Sequence, residues 1–147
     1  MTLILPPRLV AQIMDEARAA FPRECCGLIE GIWQGAEAQA LELHPAPHGD
    51  ERRFAIAPDI HFDAVRKTRA KGHRLIGCYH SHPGGPARPS DEDRKGAGED
   101  NFLWLIAALD GAQTPATLKA YRYSGADFEE TGWVTGADLV TSSSKTR

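Results

Sequence analysis

The chain has 147 residues, of which 41% are hydrophobic and 25% charged, with a formal net charge of −3 at neutral pH. That length supports one substantial core and is too short for two, and a slightly negative chain with no basic cluster argues against nucleic acid as a partner. No run is long and apolar enough to predict a membrane span, and residues 1–8 lack the charged start and apolar middle of a signal peptide, so a cytoplasmic protein with no membrane partner is expected.

Leu9, Ile13 and Ala17, with Val10 and Met14, recur at three- and four-residue spacings between Pro6-Pro7 and Pro22, which predicts an amphipathic helix. A strand over 26–33, a turn at Gln34-Gly35 and a strand over 38–44 read as a hairpin. Residues 45–50 read as a loop and 53–56 as a short strand. Pro58-Asp59 opens a second helix, with Ile60, Ala64, Val65 and Thr68 facing inward, Arg66, Lys67, Arg69 and Lys71 facing water, and Gly72 at its end. Leu75-Ile76-Gly77-Cys78-Tyr79 is short and apolar, as expected of a buried strand, and a Gly/Pro-rich loop follows over 84–89. A short helix starts near Ser90 and ends by 96–98. Residues 102–109 are apolar on both faces, which predicts a strand at the centre of the sheet, and strands over 116–123 and 129–134 complete it. The polar stretch 141–147 is expected to be a disordered tail on a single domain spanning 1–140. Three cysteines do not make a disulfide framework, and Cys25 and Cys26, being adjacent, face opposite ways on a strand. His44, His48, His61 and His73 share no motif and read as surface residues. Local pattern alone thus gives an α/β protein with a mixed sheet.

The chemistry concentrates in Cys78-Tyr79-His80-Ser81-His82-Pro83 and the following Ser90-Asp91-Glu92-Asp93. Side chains alternate along a strand, so His80 and His82 point the same way and can converge on one ion. Asp93, returned by the Gly/Pro loop, is the natural third ligand. Two imidazoles and one carboxylate leave Zn²⁺ a residual positive charge and an open position, the arrangement of a catalytic zinc site. Ser90-x-x-Asp93 also has the form of a helix N-terminal cap, and the two readings are compatible. Cys78 shares the face of both histidines and is a conceivable thiolate ligand, but a small buried apolar residue is the preferred reading. Gly84 stands where a histidine-triad hydrolase would place its third histidine, and the absence of C-x-x-C excludes a zinc nucleobase deaminase.

His80-Ser81-His82-Pro83, Ser90 and Asp93, together with Pro22-Arg23-Glu24-Cys25-Cys26-Gly27-Leu28-Ile29-Glu30-Gly31 upstream, resemble the JAMM or MPN-plus zinc metalloproteases in their short bacterial form. The likeness runs from about Pro6 to the final strands. It implies a curved mixed β-sheet flanked by helices, in the cytidine-deaminase-like α/β fold of that family. It implies further a zinc cofactor, Glu24 as general base, and Ser90 as a hydrogen-bond donor to the oxygen that becomes negative in the tetrahedral intermediate. The implied activity is hydrolysis of a peptide or isopeptide bond beside the C-terminus of a ubiquitin-like protein. The short bacterial members, some of which trim sulfur-carrier proteins to expose Gly-Gly, are the better match in form. The alternatives are a peptidase for cell-wall or phage-tail peptides and a non-catalytic scaffold; retention of Glu24, His80, His82, Ser90 and Asp93 argues against the scaffold.

Overall fold

Pro7 starts the first helix at a position where its missing N–H costs nothing. The computed structural model describes residues 1–46, 58–96 and 99–136. The strand expected over 53–56, His48, most of the 45–50 loop and the 141–147 tail lie outside them. The elements are β1 (Thr2–Ile4), α1 (Pro7–Ala20), β2 (Cys26–Gln34), β3 (Glu37–Pro45), α2 (Pro58–Ala70), β4 (Arg74–Pro83), α3 (Asp91–Lys95), β5 (Leu103–Leu109), β6 (Thr117–Tyr123) and β7 (Phe128–Thr131). Among the described residues no helix is long and apolar enough to cross a membrane.

The strands form one mixed sheet in the order β1-β3-β2-β4-β5-β6-β7. β2 and β3 are a hairpin whose turn places Gly35 at φ 62°, the left-handed region that favours glycine. β4 and β5 run parallel, which requires a crossover, and the loop carrying α3 supplies it. β4, which carries the two histidines, takes the middle of the sheet; β5, expected at the centre, lies beside it. β1 was not legible as a strand, because three residues carry no periodicity. It pairs with β3, and its Ile4 bridges Val134, with Leu5 N–H donating to the Val134 carbonyl and Val134 N–H to that of Leu3, both at 2.9 Å. That bridge curls the sheet until its two edges nearly meet and leaves little open edge. It also explains why β7 stops at Thr131, short of the expected 134: Val134 has left β6 for β1.

The sheet is covered on both faces. On one, Leu9, Ile13 and Ala17 of α1 pack on Ile29, Tyr79, Leu103, Leu105 and Ala107; each fully buried Leu or Ile contributes about 1.5–3 kcal/mol. On the other, Ala64 of α2 packs with Leu28, Cys78, Trp104, Ile106 and Tyr121. Alternation puts Cys78, His80 and His82 on the α2 face and Tyr79 and Ser81 on the α1 face. Tyr79, fully buried, donates its hydroxyl to Glu16 Oε1 of α1 at 2.7 Å. Gly27 lies opposite it, and any Cβ there would strike the Tyr79 ring, so glycine lets that ring lie across β2. Tyr79 thereby anchors β4 to α1 one residue before His80.

His44 and His73 are not the solitary surface residues that the sequence suggests. Glu30, on β2 and only 1% exposed, accepts from His44 Nε2 at 2.8 Å and from His73 Nδ1 at 2.6 Å; a carboxylate only accepts, so both ring nitrogens are the protonated ones. Lys71, expected to face water alone, reaches 3.4 Å from each Glu30 oxygen and from Glu42 Oε2. Burial pushes the Glu30 carboxyl up, but the bonds from His73 and His44 and the Lys71 ammonium outweigh it, and the group lies below its ordinary value. A carboxyl depressed in the folded state contributes stability that is complete above its unfolded value of about 4.3 and is lost as pH falls through the folded value. Glu30→Gln is therefore expected to cost about 1–3 kcal/mol at pH 7, less than a fully buried pair because its partners can regain water. The variant should also lose this share of the acid sensitivity below about pH 5. Thermal melts from pH 3 to 7 check both, and a variant that tracks the wild type throughout would contradict them.

Candidate metal centre

β4 delivers two imidazoles to one place. His80 is 1% exposed, opposite Cys26 of β2 and Ile106 of β5, with its ring edge-on to Trp104 at 5.9 Å between centroids. His82, two residues on, is half-buried at the lip, its ring centroid 4.6 Å from that of His80. The loop after β4 fixes the tautomer of His82. Gly84, at φ 72°, turns the chain, its N–H donating to the Leu109 carbonyl at 2.8 Å, and the Tyr121 hydroxyl holds the Ala87 carbonyl at 2.6 Å. Pro86 O then lies 3.0 Å from His82 Nδ1. A carbonyl only accepts, so Nδ1 carries a proton, and Nε2 is the ring atom turned inward, where an ion would meet it.

Ser90 caps α3, and here the cap and the site are one structure. Ser90 Oγ accepts from Asp93 N–H at 3.1 Å while Asp93 Oδ2 accepts from Ser90 N–H at 2.8 Å, a reciprocal capping box. This turns the Asp93 carboxylate inward, 4% exposed, with Oδ1 3.1 Å from His80 Nε2 and Oδ2 3.4 Å from His82 Nε2. Burial pushes the Asp93 carboxyl up, but hydrogen bonding from His80 and His82 outweighs it and holds the group well below the usual carboxylate range. For His82 burial works downward, and the Asp93 carboxylate and Pro86 carbonyl raise it on balance.

These residues fit a divalent ion. Ligands about 2.0–2.1 Å from a tetrahedral zinc stand roughly 3.3 Å from one another, and the two separations here are 3.1 and 3.4 Å. The donor set of two imidazole nitrogens and one carboxylate suits zinc. Glu24, half-buried between α1 and β2, places a carboxylate oxygen within 4.8 Å of a ring nitrogen of each histidine. The structure thus gathers His80, His82, Asp93 and Glu24. Ser90 is exposed and is tied to the group through Asp93; its oxygen accepts from Asp93 N–H, which leaves the hydroxyl proton to donate elsewhere. Cys78, 1% exposed among Leu28, Ala64 and Trp104, belongs to the core, and burial pushes its thiol well above the ordinary value. Glu30, Glu42 and His44 form a second group of close donors, but the Lys71 ammonium stands among them as counter-cation. The Glu30 cluster carries no sequence signal, since the fold and not spacing joins its residues; the Pro86 carbonyl carries none because a main-chain acceptor is the same for any residue in the loop.

Residues 6–123 match the family described as prokaryotic homologs of the JAB domain. A Thermus thermophilus protein named "probable TtuB-protein conjugate cleaving protease" is 32% identical over 106 residues, 69% of this chain and 69% of that one. A protein from Desulfitobacterium hafniense superposes with a TM-score of 0.79 at 27% identity, over 91% of this chain and 92% of its own. A JAB1/MPN domain protein from Archaeoglobus fulgidus gives a TM-score of 0.60 at 21% identity, over 91% and 97%, and shares the fold.

Proposed function

Since this chain belongs to the family of prokaryotic homologs of the JAB domain, we propose that it is a zinc-dependent peptidase that cleaves a peptide or isopeptide bond at the C-terminus of a ubiquitin-like sulfur-carrier protein. The observation that carries this reading is the convergence of His80, His82 and Asp93, with the Glu24 carboxylate within reach of both rings. The name of the Thermus relative, a protease acting on protein conjugates, supports the choice of substrate.

His80, His82 and Asp93 would hold the ion. When bound, zinc supplies Lewis acidity, polarising a carbonyl oxygen and lowering the pKa of water to about 7. Glu24 accepts the proton of the attacking water and returns it to the departing amine, so that the amine leaves neutral. Ser90 donates a hydrogen bond from its hydroxyl to the carbonyl oxygen as negative charge develops there. The Pro86 carbonyl keeps His82 in the tautomer that offers Nε2. No side chain need form a covalent intermediate. A site that admits an extended Gly-Gly tail selects for glycine because a Cβ would hold the backbone away from the reacting groups.

The test is to incubate the zinc-loaded protein with two substrates, a sulfur carrier bearing a C-terminal extension and the same carrier joined to a lysine, and to follow their masses. Cleavage after Gly-Gly that stops with chelator is expected. Neither substrate being cleaved in a metal-dependent way would overturn the proposal.

A further inference from the structure

Ser81 separates the two histidines but faces the other side of β4, towards α1, so it is not among the inward-facing donors. It is nevertheless fully buried, and a buried hydroxyl is costly unless it is hydrogen-bonded. Its partner lies on the segment that carries Glu24. Residues of a hydrogen-bonded antiparallel pair ordinarily exchange two backbone N–H···O bonds. At the end of the β2–β4 ladder, one step beyond the Cys26–His80 pair, Ser81 N–H donates to the Cys25 carbonyl at 3.1 Å in the ordinary way. The other half of the exchange runs through a side chain: Cys25 N–H donates to Ser81 Oγ at 2.9 Å.

That N–H belongs to the Glu24–Cys25 peptide group, which is planar and rigid. Whatever holds it sets the backbone from which the Glu24 side chain projects. We propose that the Ser81 hydroxyl is a positioning residue for Glu24: through the Cys25 amide it fixes the peptide that carries the Glu24 carboxylate beside His80 and His82. One residue between the histidines thus registers the strand bearing the donors against the segment bearing the proton acceptor. The assignment of Glu24 as base rests on the function proposed above; the placement of its peptide does not.

The isosteric pair Ser81→Thr and Ser81→Val, together with Ser81→Ala, tests it, because Thr and Val fill the same space and differ in the hydroxyl. Amide hydrogen exchange at Cys25, read without substrate, should show protection in the wild type and the Thr variant. Exchange should be at least about tenfold faster in the Val and Ala variants, with zinc content unchanged. Turnover should follow, kcat falling on the order of tenfold to a hundredfold in Val and Ala with KM nearly constant, and recovering in Thr; displacement of a catalytic group by about 1 Å costs on that order. Cys25 protection in Val equal to that in Thr, or a Val variant with the kcat of Thr, would overturn the proposal. If no variant folds, the wild type decides: a Cys25 amide that exchanges as fast as an exposed one refutes the anchor. If neither carrier substrate is cleaved even by the wild type, the functional reading fails while the amide measurement still decides this one.

Discussion

Replacing Glu24 with Gln is expected to lower kcat by roughly 10²- to 10⁴-fold, the range that a positioned general base contributes, while zinc content and KM stay near wild type. Gln keeps the size and hydrogen-bonding reach of Glu but cannot take up the proton of an attacking water. The carboxylate lies within 4.8 Å of the ring nitrogens of His80 and His82, close enough to serve as base or to enter the ligand set, and the variant separates these roles. A base lost with the ligands intact leaves zinc bound and hydrolysis slow. Loss of zinc in the Gln variant would instead make Glu24 a ligand, and unchanged hydrolysis would remove it from the chemistry altogether. Single-turnover rates and metal analysis of the same preparation distinguish the three.

Asp93→Asn should abolish hydrolysis by a different route, through the metal. Asp93 is the anion between two imidazoles, 3.1 and 3.4 Å from their Nε2 atoms. Asn is uncharged and offers a poorer oxygen donor, yet its side-chain carbonyl can still accept from Ser90 N–H, so the cap on α3 survives. The change therefore weakens the site without dismantling the helix. Loss of a group that only supports a ligand typically costs 10- to 100-fold in metal affinity, so loss of a direct anionic ligand should cost at least about 100-fold. Binding shows as stability: an ion at a hundred times its Kd raises the folding free energy by about 2.7 kcal/mol. Wild-type protein should melt higher with zinc than with chelator, and Asp93→Asn should show almost none of that rise. A variant that retains the full rise would show the ion to be held elsewhere.

What could be read from the sequence follows from the range over which each signal acts. His80 and His82 are two residues apart on a strand, so period-two alternation alone puts them on one face, and the structure has both rings there. Ser90 and Asp93 are three apart, the spacing of a helical cap, and the capping box is present. Glu24 lies 56 residues before His80 and could be singled out only by the likeness of its surroundings to a known family. The Glu30 cluster had no such aid: its histidines lie 14 and 43 residues away along the chain and meet it because the order β3-β2-β4 sets β3, which carries His44, and the start of β4, which His73 precedes, on either side of β2. Ser81 and Cys25 are likewise 56 residues apart, and nothing near Ser81 suggests that its hydroxyl stands in for a ladder carbonyl. β1 escaped notice for the opposite reason, being too short to show a period even though its Leu3 and Ile4 are almost fully buried.

X-ray absorption at the zinc edge of the zinc-loaded protein tests the central claim most directly, because it reports which atoms surround the ion. Imidazole nitrogen and carboxylate oxygen at about 2.0–2.2 Å, with the signal lost in Asp93→Asn, is the predicted result. A sulfur shell at about 2.3 Å would bring Cys78 or Cys26 into the site, and a zinc environment unaltered by Asp93→Asn would place the ion away from His80 and His82; either contradicts the account.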